Sequence, residues 1–109
     1  MSTADSGDSN VTVLDVPEWA RFEIHVDGKL AGFVSYRIDP GVITFTHTEI
    51  DEAYGGQGLG GTLVRAALDT TRARRLGVVP ECPFVRRWIS RHPEYVDLVP
   101  EAERARFQL

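Results

Sequence analysis

The chain has 109 residues, 42% hydrophobic and 26% charged, enough for one globular core and too few for two. Its net charge of −4 argues against nucleic acid as the main partner, and no apolar run approaches the ~20 residues of a membrane span. A single cysteine, Cys82, excludes an internal disulfide and a cysteine-based zinc cage, and three scattered histidines predict no metal site.

Residues 1–10 are rich in Ser, Asp and Gly, with no basic or apolar signal-peptide region. The expectation is a disordered leader over residues 1–16 and a single domain over residues 17–109. With no export signal, the default is a cytoplasmic monomer. The charge is unevenly spread. Residues 1–54 hold three basic and ten acidic groups, residues 55–109 nine and six. A basic second half suits a small anionic ligand, or simply a solvated helix face.

Arg21 to Val26 alternates, with Phe22, Ile24 and Val26 on one face and Arg21, Glu23 and His25 on the other. Asp27-Gly28 is a two-residue hairpin signal. Lys29 to Ile38 reads as a second strand, with Leu30, Val34, Tyr36 and Ile38 in phase. Asp39-Pro40-Gly41 turns the chain again. Val42 to Ile50, rich in β-branched and aromatic residues, reads as a third strand. From Leu59 the period becomes helical, with Leu59, Leu63, Ala66, Ala67 and Thr70 on one stripe and Arg65, Asp69 and Arg72 opposite. Arg74, Arg75 and Gly77 signal its end. Val78-Val79-Pro80 reads as a short strand. Pro83 then opens a second helix that buries Val85, Trp88 and Ile89. Trp19 reads as core; His25 and His92 read as surface or cap residues. The order β-β-β, loop, α, β, α predicts an antiparallel sheet feeding one right-handed crossover to a parallel strand.

Between the third strand and the first helix lies Tyr54-Gly55-Gly56-Gln57-Gly58-Leu59-Gly60-Gly61-Thr62. Five glycines in seven positions pack no core and carry a large backbone entropy cost. Their placement before a helix turns unpaired N–H groups toward one point at the positive end of a helix dipole, a phosphate or pyrophosphate cradle. Gly55, Gly60 and Thr62 fit the Walker A spacing, but Gly61 stands where its lysine must be. Gly56, Gly58 and Gly61, with Glu81 twenty residues on, fit a dinucleotide fingerprint. That fold needs a loop directly after a parallel strand and more parallel strands than the remaining chain can hold.

The run Glu49-Ile50, Asp51-Glu52-Ala53-Tyr54, Gly55-Gly56-Gln57-Gly58-Leu59-Gly60 resembles the acetyl-CoA loop of the GCN5-related N-acetyltransferase (GNAT) superfamily, whose pattern is Arg/Gln-x-x-Gly-x-Gly/Ala. Gly58 and Gly60 match its two small positions. The likeness runs from about Arg21 to Tyr95. It is nearest to compact, stand-alone members that lack the early helices and the last two strands. Thr46-His47-Thr48-Glu49, Cys82-Pro83-Phe84-Val85 and His92-Pro93-Glu94-Tyr95 are similar to segments of that subgroup. The resemblance implies a truncated α+β GNAT-like fold: an antiparallel three-stranded sheet, pyrophosphate loop, helix, parallel strand and helix. It further implies acetyl-CoA as co-substrate. Gly55, Gly56, Gln57, Gly58, Leu59, Gly60, Gly61 and Thr62 would lie at the pyrophosphate, and Thr48, Glu49 and Ile50 along the pantetheine. Three positions depart from the pattern. Gly55 stands where Arg or Gln is usual, Cys82 where Asn is common, and Ile89 where a Tyr often acts as general acid.

Acetyl transfer to an amine needs a base, a polarised carbonyl and a fate for the leaving thiolate. Glu49 is the candidate base, against an exposed strand-end carboxylate. His47, two residues away on the same face, is a proton relay or a hydrogen-bonding residue. Cys82 has three readings: a buried small hydrophobe, a thiol that protonates the leaving thiolate, or a nucleophile that carries the acetyl group. Tyr95 is an alternative acid. Two functions of different class follow: an N-acetyltransferase acting on an unidentified amine, in a small molecule or a protein, or a CoA/acyl-CoA binding module with little or no transferase activity.

Overall fold

Asp27 and Gly28 both take positive φ, 51° and 81°, the backbone that lets a two-residue loop match the twist of its flanking strands. The computed structural model describes residues 10–109. Among these, one sheet runs in chain order: β1 (Val11–Val16), β2 (Arg21–Val26), β3 (Lys29–Asp39), β4 (Val42–Ile50) and β5 (Gly77–Pro80). The first four strands are antiparallel neighbours, and β5 lies parallel to β4. The crossover between them is α1 (Leu59–Ala73); α2 (Pro83–Ser90) follows β5. The tail, from Pro93 to Phe107, is a chain of short 3₁₀ and α turns. No helix among the described residues is long and apolar enough to cross a membrane.

The segment expected as a leader through residue 16 holds a strand from Val11 onward. Residues 1–9 lie outside the described residues, but Val11–Val16 pairs with β2 along its whole length, from Val11↔Val26 to Val16↔Arg21. The forces that hold it are distant in sequence. Val13 packs on the core, and the Asp15 carboxylate accepts the Tyr36 hydroxyl at 2.6 Å and Arg74 at 2.7 Å. The expected three-stranded antiparallel sheet therefore has a fourth antiparallel strand.

Two register shifts correct the expected strand phase. Pairing of β2 with β3 jumps from Gly32 to Leu30, which leaves Ala31 as the extra residue. Pairing of β3 with β4 jumps from His47 to Phe45, which leaves Thr46. Each bulge interrupts the alternation of faces. Leu30, expected inside with Val34, is 45% exposed, while Ala31 is buried. Ile38, at the strand end, is 53% exposed. On β4 the bulge puts His47 and Glu49 on the face away from the helices, with Thr48 and Ile50 toward them.

The core lies between the other face and α1. Phe22, Ile24, Val34 and Phe45 of the sheet meet Leu63, Val64, Ala67 and Leu68 of the helix, all within 2% exposure. The buried stripe is rotated from the expected one: Val64, Leu68 and Thr71 are inside, and Ala66 and Thr70 only half so. Thr71 takes its place by donating its hydroxyl to the Ala67 carbonyl at 2.8 Å. Gly77, expected to end α1, instead opens β5. Val85 and Ile89 of α2 complete the core. Trp19 does not belong to it, being 67% exposed.

Candidate functional site

The glycine loop begins where β4 is tied down. The Asp51 N–H donates to the Ala31 carbonyl at 2.8 Å, and the Asp51 carboxylate accepts the Ala53 N–H at 2.8 Å. Gly56 and Gly58 then take φ of 79° and 73°, which no β-branched or bulky residue adopts without strain. Gly58 is the N-cap of α1 and offers no side-chain cap. The next intrahelical bond is Thr62 N–H to the Gly58 carbonyl at 3.2 Å. From Gly56 to Gly61, no backbone N–H finds an acceptor among the described residues. Unpaired donors at a helix N-terminus are the features that favour an anion. The side chain of Leu59 is buried at 6% exposure, so only its N–H faces that site. Gln57 is exposed beside it. Gly61 and Thr62 line the cleft that follows, about 450 Å³ and walled also by Gly58, Arg65, Ala66, Asp69 and Trp88.

The second part of the site is an interrupted ladder. β5 pairs with β4 only from Val42↔Gly77 to Phe45↔Pro80. Cys82 N–H donates to the Phe45 carbonyl at 2.8 Å, and beyond it Thr46–Ile50 has no strand partner on that edge. A free strand edge accepts an extended chain as an extra strand. At the apex of this fork Thr48 Oγ1 and Cys82 Sγ share a hydrogen bond at 3.2 Å. Cys82 is 2% exposed and is the N-cap of α2, with Pro83 at the first helical position.

Glu49 and His47 stand on the other face. His47 Nε2 lies 3.1 Å from Glu49 Oε2, and both side chains are more than half exposed. The ring of Phe33 lies 6.2 Å from that of His47, and the Arg21 guanidinium sits 4.5 Å from Phe33 and 4.7 Å from Trp19. Arg21 and His25 both bond the carboxylate of Glu23, at 2.8 and 2.9 Å. The bond from His25, joined by Arg21, holds the Glu23 carboxyl below its ordinary range against the opposite pull of burial. The three candidate catalytic residues are thus divided, Glu49 with His47 on one face of the free β4 edge and Cys82, bonded to the cofactor-arm candidate Thr48, on the other.

Several predicted roles move. Ile89, in the position of a usual acid, is fully buried. Tyr95 does not replace it: its hydroxyl donates to Asp69 at 2.7 Å, and that bond with burial raises its pKa. A phenol so held is a poor proton donor. Sequence reasoning missed Arg65, which donates to the Tyr95 oxygen at 3.2 Å and lies 5.1 Å from the Trp88 ring. Its one sequence signal was its place on the polar stripe one turn past the glycines. The pairing of Thr48 with Cys82, 34 residues apart, left no signal at all.

A mixed sheet with a forked β4–β5 edge and a glycine loop opening the crossover helix defines the acyl-CoA N-acyltransferase class of fold. Among the solved structures that share it are these two. One is a GCN5-like protein from Staphylococcus aureus, 24% identical with TM-score 0.65 over 84% of this chain and 89% of that one. The other is ribosomal-protein-alanine N-acetyltransferase from Brucella melitensis biovar Abortus, 18% identical with TM-score 0.52 over 84% and 91%. No curated protein sequence matches. The profile of the GCN5-related N-acetyl-transferase family matches residues 21–98, and the chain belongs to that family.

Proposed function

We propose that this chain binds acetyl-CoA at the Gly56–Gly61 loop and the free edge of β4, and transfers the acetyl group to a primary amine. The observation that carries the reading is the succession of two unsatisfied backbone surfaces. The unpaired edge Thr46–Ile50 is followed, after the hydrogen-bonded turn Asp51–Gly55, by unpaired loop donors, which suits a ligand that joins an extended amide-bearing arm to a pyrophosphate. Gly56 and Gly58 take the positive φ that leaves the loop backbone open to the phosphates, and Gly60 and Gly61 let α2 lie close beneath it. Gln57 and Thr62 flank the phosphates, and Thr48 and Ile50 border the arm. Acetyl-CoA supplies the thioester whose C–S bond breaks as the acceptor nitrogen gains its amide bond.

Glu49 takes the proton lost by the acceptor nitrogen, and His47 beside it passes that proton to solvent. The acceptor arrives over Phe33 on the uncovered sheet face. Cys82, beside Thr48 on the helix side, donates its thiol proton to the departing thiolate. The setting that suits this chemistry is a cytoplasmic monomer, since a reducing compartment keeps Cys82 a thiol.

A binding module without transfer is the second reading. It is favoured by one observation, the burial of Cys82 at 2% exposure with no free acid beside it. Heteronuclear NMR titration with CoA and acetyl-CoA tests the shared premise. Shifts at the amides of residues 55–62 and 46–50 are expected, and none at millimolar ligand sinks both readings. Acetylation of an amine panel by the wild type, followed by mass spectrometry, then separates transferase from module.

A further inference from the structure

The pyrophosphate loop is not the only surface prepared for anions. α2 passes directly under the start of α1. A Cβ on Gly60 would sit 2.6 Å from the Phe84 ring, and one on Gly61 would sit 3.3 Å from Trp88 Nε1. Trp88 is a wall of the cleft at the α1 N-terminus and also of a second hollow of about 180 Å³, completed by Phe84, Arg87, Arg91 and His92. The first cleft has one carboxylate in its lining, Asp69, occupied by the Tyr95 hydroxyl. The second has none.

Arg87 and Arg91 stand one helical turn apart, both exposed. Like charges at that spacing oppose the helix. Arg21, Arg37, Arg72, Arg74 and Arg106 each reach a carboxylate; among the described residues Arg87 and Arg91, like Arg65, Arg75, Arg86 and Arg104, reach none. The hollow is also rigid. The Trp88 carbonyl accepts the His92 Nδ1–H at 2.7 Å, and the two rings stack at 3.8 Å, so that His92 Nε2 remains as a further polar group.

The residues along α2 follow one spatial order. Cys82 stands at the fork, Phe84 and Trp88 at the level of the glycine loop, and Arg91 roughly 13 Å from Cys82 at 1.5 Å per residue. CoA presents its groups in the same order: thioester, pyrophosphate, then a ribose carrying a 3′-phosphate. We propose that Arg87, Arg91 and His92 form a phosphomonoester site for that 3′-phosphate, so that the chain selects CoA over 3′-dephospho-CoA. This rests on the cofactor reading above and adds a specificity that reading does not require.

Calorimetry with CoA and 3′-dephospho-CoA, on wild type and on the Arg87→Ala/Arg91→Ala double variant, tests it. The wild type is expected to bind CoA about tenfold or more tightly than the dephospho form, through charge-assisted bonds. In the double variant that ratio should fall to roughly one, with most of the loss in affinity for CoA. The Arg37→Ala/Arg106→Ala double variant, an equal charge change at residues that line no part of the hollow, should keep the ratio. Equal affinities in the wild type, or a ratio that survives in the Arg87→Ala/Arg91→Ala variant, overturn the 3′-phosphate site alone. Binding of neither ligand overturns the cofactor reading and the site with it.

Discussion

β4 is one strand with two different halves. Val42–Phe45 is paired on both edges and buries Ile43, Thr44 and Phe45 to 2% exposure or less. Thr46–Ile50 is paired on one edge, and its His47 and Glu49 stand in solvent. The bulge at Thr46 divides them. The first half holds the fold together through burial, and the second leaves its backbone and its ionisable side chains available. The free edge begins where the ladder to β5 stops.

The largest expected effect lies in the first half. Phe45→Ala should cost about 3–5 kcal/mol of stability, read from chemical denaturation, whereas Thr48→Val should cost under about 1.5 kcal/mol. A Thr48→Val loss as large as that of Phe45→Ala would erase the distinction. In the second half, Glu49→Gln should leave stability within about 0.5 kcal/mol and lower the acetyl-transfer rate about 100-fold. An unchanged rate at neutral pH would remove Glu49 as the base.

The uncovered face beside Glu49 is held by charge rather than by apolar packing, so Glu23→Gln should destabilise by about 1–3 kcal/mol. The Glu23 carboxyl titrates lower in the folded chain than in the unfolded one. Its contribution is therefore present above the ordinary carboxylate range and is lost as pH falls through the folded value. Wild type should lose more stability than Glu23→Gln between pH 6 and pH 3; parallel acid profiles would contradict the assigned role. The smallest effect is a gain. Gly55 has φ −62° and ψ 148°, and a Cβ there would meet only the Glu52 carbonyl at 3.4 Å. Gly55→Gln fits this backbone and supplies a side-chain donor, which should tighten CoA by roughly three- to tenfold. Weaker binding would mean that the loop has no place for that anchor.

Much of this was legible along the chain because local physics writes it there. Asp27-Gly28 placed the first hairpin, the alternation of Phe22, Ile24 and Val26 placed the face of β2, and the glycines placed an anion loop before a helix. Where the reading failed, the missing partner was distant. β1 passed for part of the leader because Asp15 is held by Tyr36 and Arg74. Leu30 passed for core because a bulge carries no composition. Trp19 passed for core because an exposed tryptophan is indistinguishable in sequence from a buried one. The site divides the same way. Its backbone-made part was readable from five glycines, and its side-chain pairs were readable only as candidates.

The sequence by itself determined the order of elements from β2 to α2 and the glycine loop, since periodicity, turn chemistry and glycine clustering are properties of neighbours, and its resemblance to a known motif pointed to the family. Only the tertiary structure decided that β4 parts from β5 after Phe45, that Thr48 meets Cys82 while Glu49 meets His47, and that α2 lies under the start of α1. Those depend on a bulge, a crossover and a close approach at Gly60. Each is set by how distant surfaces fit, which no stretch of neighbouring residues encodes.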